Sequence, residues 1–185
     1  MPRDEAIAHV VATDPRSQVT ETVIRGVPYT VFANAPDNLR TLLRTAVDSF
    51  AERELLVYGD SRWSYRAFAD DVNRMAHGLT SELGIQPGDR VAIAMRNYPE
   101  MAVLIMAIVS TGAVMVPLNA WWSGDELAFA LEDCGASIVF SDRDRYQALE
   151  PHVRRLGVTQ VAVHDAEVAT RTGRGHDPHR GACAA

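Results

Sequence analysis

The clearest pattern in the chain is a βαβ unit in its middle. Arg90 to Met95 is a short apolar run behind the turn signal Pro87-Gly88-Asp89, and this predicts a buried strand. Pro99 opens a helix, and Met101 to Val109 is apolar on every side, so we expect that helix to be buried. Val114 to Val116 forms the second strand. Two strands joined through a helix within about thirty residues must run parallel.

Two other interpretations of this stretch are weaker. Met101 to Leu118 carries no charge, and about eighteen apolar residues approach the length of a membrane span. Ser110-Thr111-Gly112 in its middle and Pro117 near its end favour a buried unit instead. A dinucleotide site is also disfavoured, because no G-x-G-x-x-G follows the first strand.

The same strand–helix alternation continues downstream. Ser123 is placed to cap the next helix, and Glu126 completes a capping box with it. The pattern then predicts a helix at 125–134, a strand at 137–141, a helix at 143–156 and a strand at 158–163. The chain is therefore expected to adopt an α/β fold with a parallel sheet flanked by helices and right-handed crossovers.

The first part of the chain has a mixed pattern. It predicts two short strands within 21–32 around Gly26-Val27-Pro28, a helix from Asp37 or Asn38 to Phe50, a hairpin around Gly59-Asp60-Ser61, and a long helix from Ser64 to a stop at Gly84. We expect residues 1–19 to be a mobile arm with at most one short helix, residues 20–164 to form one partial domain, and residues 165–185 to be a disordered tail.

Composition excludes several classes of function. The 185 residues carry a net charge of -6, which argues against a nucleic-acid or anionic membrane surface as partner. All 18 basic residues are arginine, so no mechanism that needs a lysine can reside in this chain. The N-terminus has no long apolar segment, so we expect a cytoplasmic location and no secretory signal.

The residues suggest few chemical candidates. No nucleophile elbow, H-E-x-x-H or phosphate-binding loop is present. The acidic pairs Asp70-Asp71 and Asp142/Asp144 are interpreted as solvated charge, and Cys134 as a buried, inert thiol. His176 and His179, near Asp177 and Cys183, could bind a metal only adventitiously. We therefore predict no catalytic, cofactor-binding or metal-binding residue.

One aromatic pair leaves two interpretations open. Trp121-Trp122 lies in the loop before the helix at 125–134 and is either the lining of a pocket or interface, or packing that anchors the loop.

The order and spacing of four segments are more informative about the family of this chain than any single motif. They are WSYRAFADDVNRMAHGL at 63–79, GIQPGDRVAIAMRNYPE at 84–100, STGAVMVPLNAWWSGDEL at 110–127, and LEDCGASIVFSD at 131–142. Together they resemble the N-terminal part of the adenylate-forming (AMP-binding) superfamily, especially its fatty-acyl-CoA ligases, and RGVPYTVFANAPDNLRTLL at 25–43 resembles the lead-in of such ligases. One departure is Ala67, where the family often has a glutamate that completes a capping box.

The resemblance implies an activity that this chain alone is not expected to have. Such ligases use ATP and Mg²⁺ to convert a fatty acid into an acyl-adenylate and then transfer the acyl group to coenzyme A. Their phosphate loop and two functional lysines lie further downstream, and no position here matches them. We therefore expect a truncated, inactive fragment that needs no cofactor by itself, and whose partner is a missing catalytic half or a second copy.

Alternatives remain at this stage. The parent enzyme could be another adenylate-former, such as an amino-acid-activating domain or an aryl-CoA ligase. The chain could also be a non-catalytic α/β interaction module, or one half of a split ligase.

Overall fold

A computed structural model of the protein describes residues 2–163. The chain divides into two units, one up to Leu42 and one from Leu43 onward. The helices are α1 Arg3–Thr13, α2 Leu39–Phe50, α3 Tyr65–Ser81, α4 Pro99–Ser110, α5 Gly124–Cys134 and α6 Arg143–Leu156. The strands are β1 Val19–Ile24, β2 Val27–Phe32, β3 Glu54–Tyr58, β4 Ser61–Ser64, β5 Arg90–Ala94, β6 Val114–Pro117, β7 Ile138–Ser141 and β8 Thr159–Ala162.

The first unit contains a helix and a hairpin. A 3₁₀ turn, Pro15–Ser17, follows α1; Asp14 caps it, and the Arg16 guanidinium holds the pKa of that carboxyl at about 2. The antiparallel β1–β2 hairpin turns at Arg25-Gly26, both with positive φ, so the turn lies one residue earlier than the sequence predicts. None of residues 2–42 is buried.

The second unit is built around a parallel sheet. Its four strands lie in the order β6-β5-β7-β8, and all three neighbouring pairs are parallel. An antiparallel β3–β4 hairpin precedes it. The prediction of an α/β fold with a parallel sheet flanked by helices is confirmed.

Two hydrophobic clusters cover the two faces of this sheet. Val91, Ile93 and Phe140 point to the cluster that contains the inner residues of α3 and α4. Ala92, Ala94 and Val139 point to the opposite cluster, with residues of α5 and α6. Successive side chains of a strand alternate between faces, so a strand covered on both faces reads as a continuous apolar run.

Helix α4 is buried along one side and half-buried along the other. Val103, Leu104, Ala107 and Ile108 are buried, while the other residues of its apolar run are half-buried. No helix within residues 2–163 has the length and apolar character needed to cross a bilayer.

The helix ends show which local signals act as expected. Ser64 caps α3 through the amide of Ala67, and Ser123 and Glu126 form the predicted capping box of α5. Helix α3 ends at Ser81, before the expected stop at Gly84, and the Leu83 amide then bonds back to the Gly78 carbonyl. The left-handed glycine therefore lies just beyond the helix end rather than at it.

Candidate functional site

The carboxyl edge of the parallel sheet is the place where this topology opens a crevice. From β5 the chain crosses through α4 to β6 on one side, and then returns through α5 to β7 on the other side. The loops after β5 and β7 therefore diverge to opposite faces of the sheet. In open α/β sheets, ligands bind in the crevice formed at such a point. Arg96 follows β5 here, and Asp142 follows β7.

A buried ion pair lies at this edge of the sheet. Asp142 is 4% exposed and Arg145 is 9% exposed. The Arg145 Nη1 lies 3.2 Å from both carboxylate oxygens of Asp142. Asp142 also caps α6 by accepting from the Arg145 amide at 3.2 Å, and its Oδ2 accepts from the Arg96 amide at 2.9 Å. The carboxylate thus has partners in the segment after β5 and on α6, and these satisfy a charge that would be costly to bury alone.

The same arginine reaches the loop after β6. Its Nε donates to the Ala120 carbonyl at 2.6 Å. One ion pair therefore joins the segments that follow β5, β6 and β7. A weaker contact, 3.4 Å, runs from Arg145 Nη1 to the exposed carboxylate of Asp144.

The interpretation of Asp142 as solvated charge is wrong, and only its neighbour Asp144 is exposed. The local sequence did contain a signal, because an aspartate between a buried strand and a helical pattern is a favoured N-cap. What the sequence did not show is that Arg96 and Arg145 converge on the same carboxylate.

Asp71 on α3 also differs from the sequence interpretation. It is buried, bonds to Arg74, and is linked to the Trp63 side chain. Burial is the largest influence on this carboxyl and raises its pKa above the ordinary value, against the opposing effects of Arg74 and Trp63. Its neighbour Asp70 is exposed, as expected. The two adjacent carboxylates point in different directions, so they form no catalytic pair.

The aromatic pair Trp121-Trp122 lies at the carboxyl edge. Trp121 is 78% exposed, too much for a side chain that anchors its loop by packing. The Arg96 guanidinium lies 5.9 Å from the centroid of the Trp121 ring, which is within the range of a cation–π interaction. Trp122 is less exposed, at 39%. The edge therefore presents an aromatic ring and a cation side by side.

The described residues do not fit an ATP–magnesium site. Among residues 2–163 no group of three His, Cys, Asp or Glu side chains could hold a metal ion. Asp142, the buried carboxylate at this edge, is already engaged by Arg145 and by the Arg96 amide. The chain also has no lysine with which to contact a phosphate.

Of the other candidates, Cys134 is half-buried rather than buried, and His176, His179 and Cys183 lie outside the described residues.

Comparison with known proteins agrees with this architecture. The sequence model of the AMP-binding enzyme family matches residues 43–180. The chain belongs to the AMP-binding enzyme family.

Relatives in this family differ in the acid named. The 2-succinylbenzoate–CoA ligase of Bacillus pumilus is 35% identical over 91 residues, covering 49% of this chain and 18% of that protein. A medium/long-chain-fatty-acid–CoA/3-oxocholest-4-en-26-oate–CoA ligase of Mycobacterium tuberculosis is 29% identical over 129 residues, covering 66% and 23%. A crystal structure from Rhodopseudomonas palustris, assigned as a long-chain-fatty-acid CoA ligase, superposes with a TM-score of 0.65 at 31% identity.

That superposition covers 69% of this chain and 33% of the Rhodopseudomonas protein. In each of these comparisons the chain spans a third or less of its relative. The AMP-binding relatives thus contain long regions to which this chain has no counterpart in the match.

Proposed function

We propose that this chain is the first part of the large domain of an AMP-forming acid–CoA ligase. The observation that carries the proposal is the family match over residues 43–180, together with relatives of which the chain spans 18–33%. In the complete enzyme, ATP and Mg²⁺ would activate a carboxylate to an acyl-adenylate, and coenzyme A would then accept the acyl group. Residues 20–164 would supply the sheet and its two helical layers, in a protein located in the cytoplasm.

We propose a fatty acid as the substrate class. The Mycobacterium relative and the Rhodopseudomonas structure both carry fatty-acid names, and these two alignments cover about two thirds of this chain. The Bacillus relative names an aromatic acid and is more identical, but over a shorter stretch. An aryl acid is therefore the alternative.

By itself the chain should not form an adenylate. Transfer of a nucleotidyl group requires donors that stabilise the charge of the phosphates, such as backbone amides of a phosphate loop and a lysine. The chain has no lysine, and the buried carboxylate at the carboxyl edge of its sheet is held in an ion pair. These features support inactivity of the isolated chain.

ATP–pyrophosphate exchange tests this first prediction. The purified chain is assayed with a panel of fatty acids, with 2-succinylbenzoate and without acid, and a full-length family member serves as the positive control. We expect exchange at the level of the enzyme-free blank for every acid. Exchange above that blank would show that a phosphate site exists in this chain.

Complementation separates a ligase part from a non-catalytic module, the alternative that the exposed Trp121 favours. The chain is mixed with a Rhodopseudomonas enzyme from which the region equivalent to residues 43–163 has been deleted. Recovery of exchange would support the ligase proposal. If the chain unfolds cooperatively, restores no exchange and instead binds a different protein through Trp121, the interaction module is favoured.

A further inference from the structure

The loop between β6 and α5 has a well-defined start and a well-defined end. At its start the Leu118 amide bonds to the Ile93 carbonyl at 2.8 Å, and at its end Ser123 caps α5. Between them the Asn119 side chain accepts from the Trp121 amide at 2.9 Å, which is a bond within the loop itself. Because Trp121 is largely exposed, packing of its ring contributes little to fixing the loop.

Arg145 supplies a direct bond from α6 to the middle of this loop. Its Nε donates to the Ala120 carbonyl at 2.6 Å, while Nη1 of the same guanidinium contacts both oxygens of Asp142 at 3.2 Å. A guanidinium is planar and its donors have fixed directions, so the position of Asp142 determines where the Ala120 carbonyl is held. Ala120 itself is 6% exposed, so its carbonyl needs a partner from the protein.

Asp142 connects this arrangement to the segment after β5. Its Oδ2 accepts the Arg96 amide at 2.9 Å, so the backbone that carries the Arg96 side chain is fixed by the same carboxylate. One buried ion pair therefore bonds to the backbone at both sides of the cation–π contact, through Asp142 to the Arg96 amide and through Arg145 to the Ala120 carbonyl, which directly precedes Trp121.

We propose that Asp142 and Arg145 are positioning residues, which fix the loop 118–123 and hold the Trp121 ring beside Arg96 at the carboxyl edge of the sheet. The ion pair is buried, and it acts through the backbone of the two segments that present Arg96 and Trp121. The proposal concerns this chain alone and does not depend on the ligase activity.

Fluorine NMR of the full chain labelled with 5-fluorotryptophan tests the proposal. The chain has three tryptophans, Trp63, Trp121 and Trp122, so three resonances are expected, and Trp121→Phe and Trp122→Phe variants assign them. In Arg145→Met we expect the Trp121 resonance to move by more than its linewidth while the Trp63 resonance keeps its position. Asp142→Asn should also move the Trp121 resonance, because an amide accepts through one oxygen only.

Arg154→Met is the matched control, since it makes the same substitution at an exposed arginine of the same helix. It should leave all three resonances in place. A folded Arg145→Met variant with an unshifted Trp121 resonance would overturn the proposal, because the loop would then hold its position without the guanidinium.

Arg145→Lys decides the question if the methionine variant fails to fold. It keeps a positive charge near Asp142, but its single ammonium cannot reproduce the planar contacts to both Asp142 and Ala120. We expect a dispersed spectrum with a shifted Trp121 resonance and an unchanged Trp63 resonance. A dispersed spectrum with Trp121 at its original position would contradict the proposal in the same way.

Discussion

At the scale of single residues, adjacent carboxylates have opposite environments in this protein. Asp70 is exposed, whereas Asp71 is buried and linked to Trp63 and Arg74. The sequence shows two neighbouring acids, and neighbours on a helix are turned by about 100° from one another. Which of the two faces the interior follows from the apolar stripe of α3, since Asp71 lies three residues after the buried Phe68 and four before the buried Met75.

The raised pKa of Asp71 predicts a pH-dependent effect of substitution. Burial disfavours the ionised form of Asp71 and so favours its protonated form. The stability that goes with the protonated side chain is complete below the ordinary pKa of 3.8 and is lost as pH rises through the folded-state pKa. Asp71→Asn, which stays neutral, should therefore be more stable than the native chain at pH 7, and this advantage should shrink as pH falls through the folded-state pKa and be absent below pH 3.8.

Urea unfolding at pH 7 and below pH 3.8 measures this difference in the free energy of unfolding between Asp71→Asn and the native chain. Asp70→Asn, at the exposed neighbour, is the control and should change the free energy of unfolding by less than about 0.5 kcal/mol. A variant Asp71→Asn that is less stable than the native chain at neutral pH would show that the bonds of the carboxylate outweigh its burial.

Two glycines provide a matched pair of opposite sign. A Cβ at Gly124 would lie 2.4 Å from the Ala148 carbonyl oxygen, so Gly124→Ala would force α5 and α6 apart. We expect a loss of about 1–3 kcal/mol in the free energy of unfolding. A Cβ at Gly78, inside α3, would meet nothing within 4 Å, so Gly78→Ala should stabilise the chain by about 0.5–1 kcal/mol. Destabilisation by both substitutions would contradict the packing explanation.

At the scale of elements, local signals account for most of the observed boundaries. The cap residues Ser64, Ser123 and Asp142 begin their helices as the sequence predicts or permits, and Gly135 and Gly157 end α5 and α6 in the left-handed conformation. These signals act within a few residues and therefore can be read without the tertiary structure. The end of α3 was placed too late, because Gly84 resembles a helix stop whereas the chain leaves the helix at Ser81.

The capping box of α5 gives a prediction at this scale. The Ser123 hydroxyl accepts from the Glu126 amide, and the Glu126 carboxylate accepts from the Ser123 amide at 2.8 Å, which lowers the pKa of that carboxyl. Ser123→Ala should cost about 1 kcal/mol in the free energy of unfolding. Ser49→Ala, an exposed serine near the end of α2, should cost nothing, since alanine favours a helix. Equal effects of the two substitutions would argue against the cap.

At the scale of the whole molecule, burial is concentrated in one unit. Residues 2–42 contain no buried side chain, while both hydrophobic clusters belong to the unit that begins at Leu43. A large buried apolar area is the main source of cooperative folding. The second unit therefore contains what an independent folding unit requires.

This distribution predicts the outcome of two deletions. A chain that begins at Asp37, and so keeps the Asn38 cap of α2, should retain a cooperative thermal transition close to that of the full chain. A chain that ends before Gly124 loses α5, α6 and two strands of the sheet, and it should show no such transition. Loss of the transition in the first deletion would mean that residues 1–36 contribute to the stability of the core. Circular dichroism during heating measures both.

By itself the sequence determined the α/β class, nearly every strand and helix, and the family. Periodicity and helix caps act over short distances along the chain, so they predict the individual elements, and the order of the segments indicates the family. The segments before Asp165 each carry their own apolar pattern, and that pattern follows from the burial of one or both faces. The family resemblance rests on the order and spacing of such segments, which the sequence shows directly.

Only the tertiary structure decided which polar side chains are buried and what they bind. Arg96, Ala120 and Asp142 are separated by more than twenty residues from one another in sequence and meet only where three parallel strands end at one edge of the sheet. The strand order β6-β5-β7-β8 brings them together, and no local signal in the sequence encodes that order. The burial of Asp142 follows from this convergence.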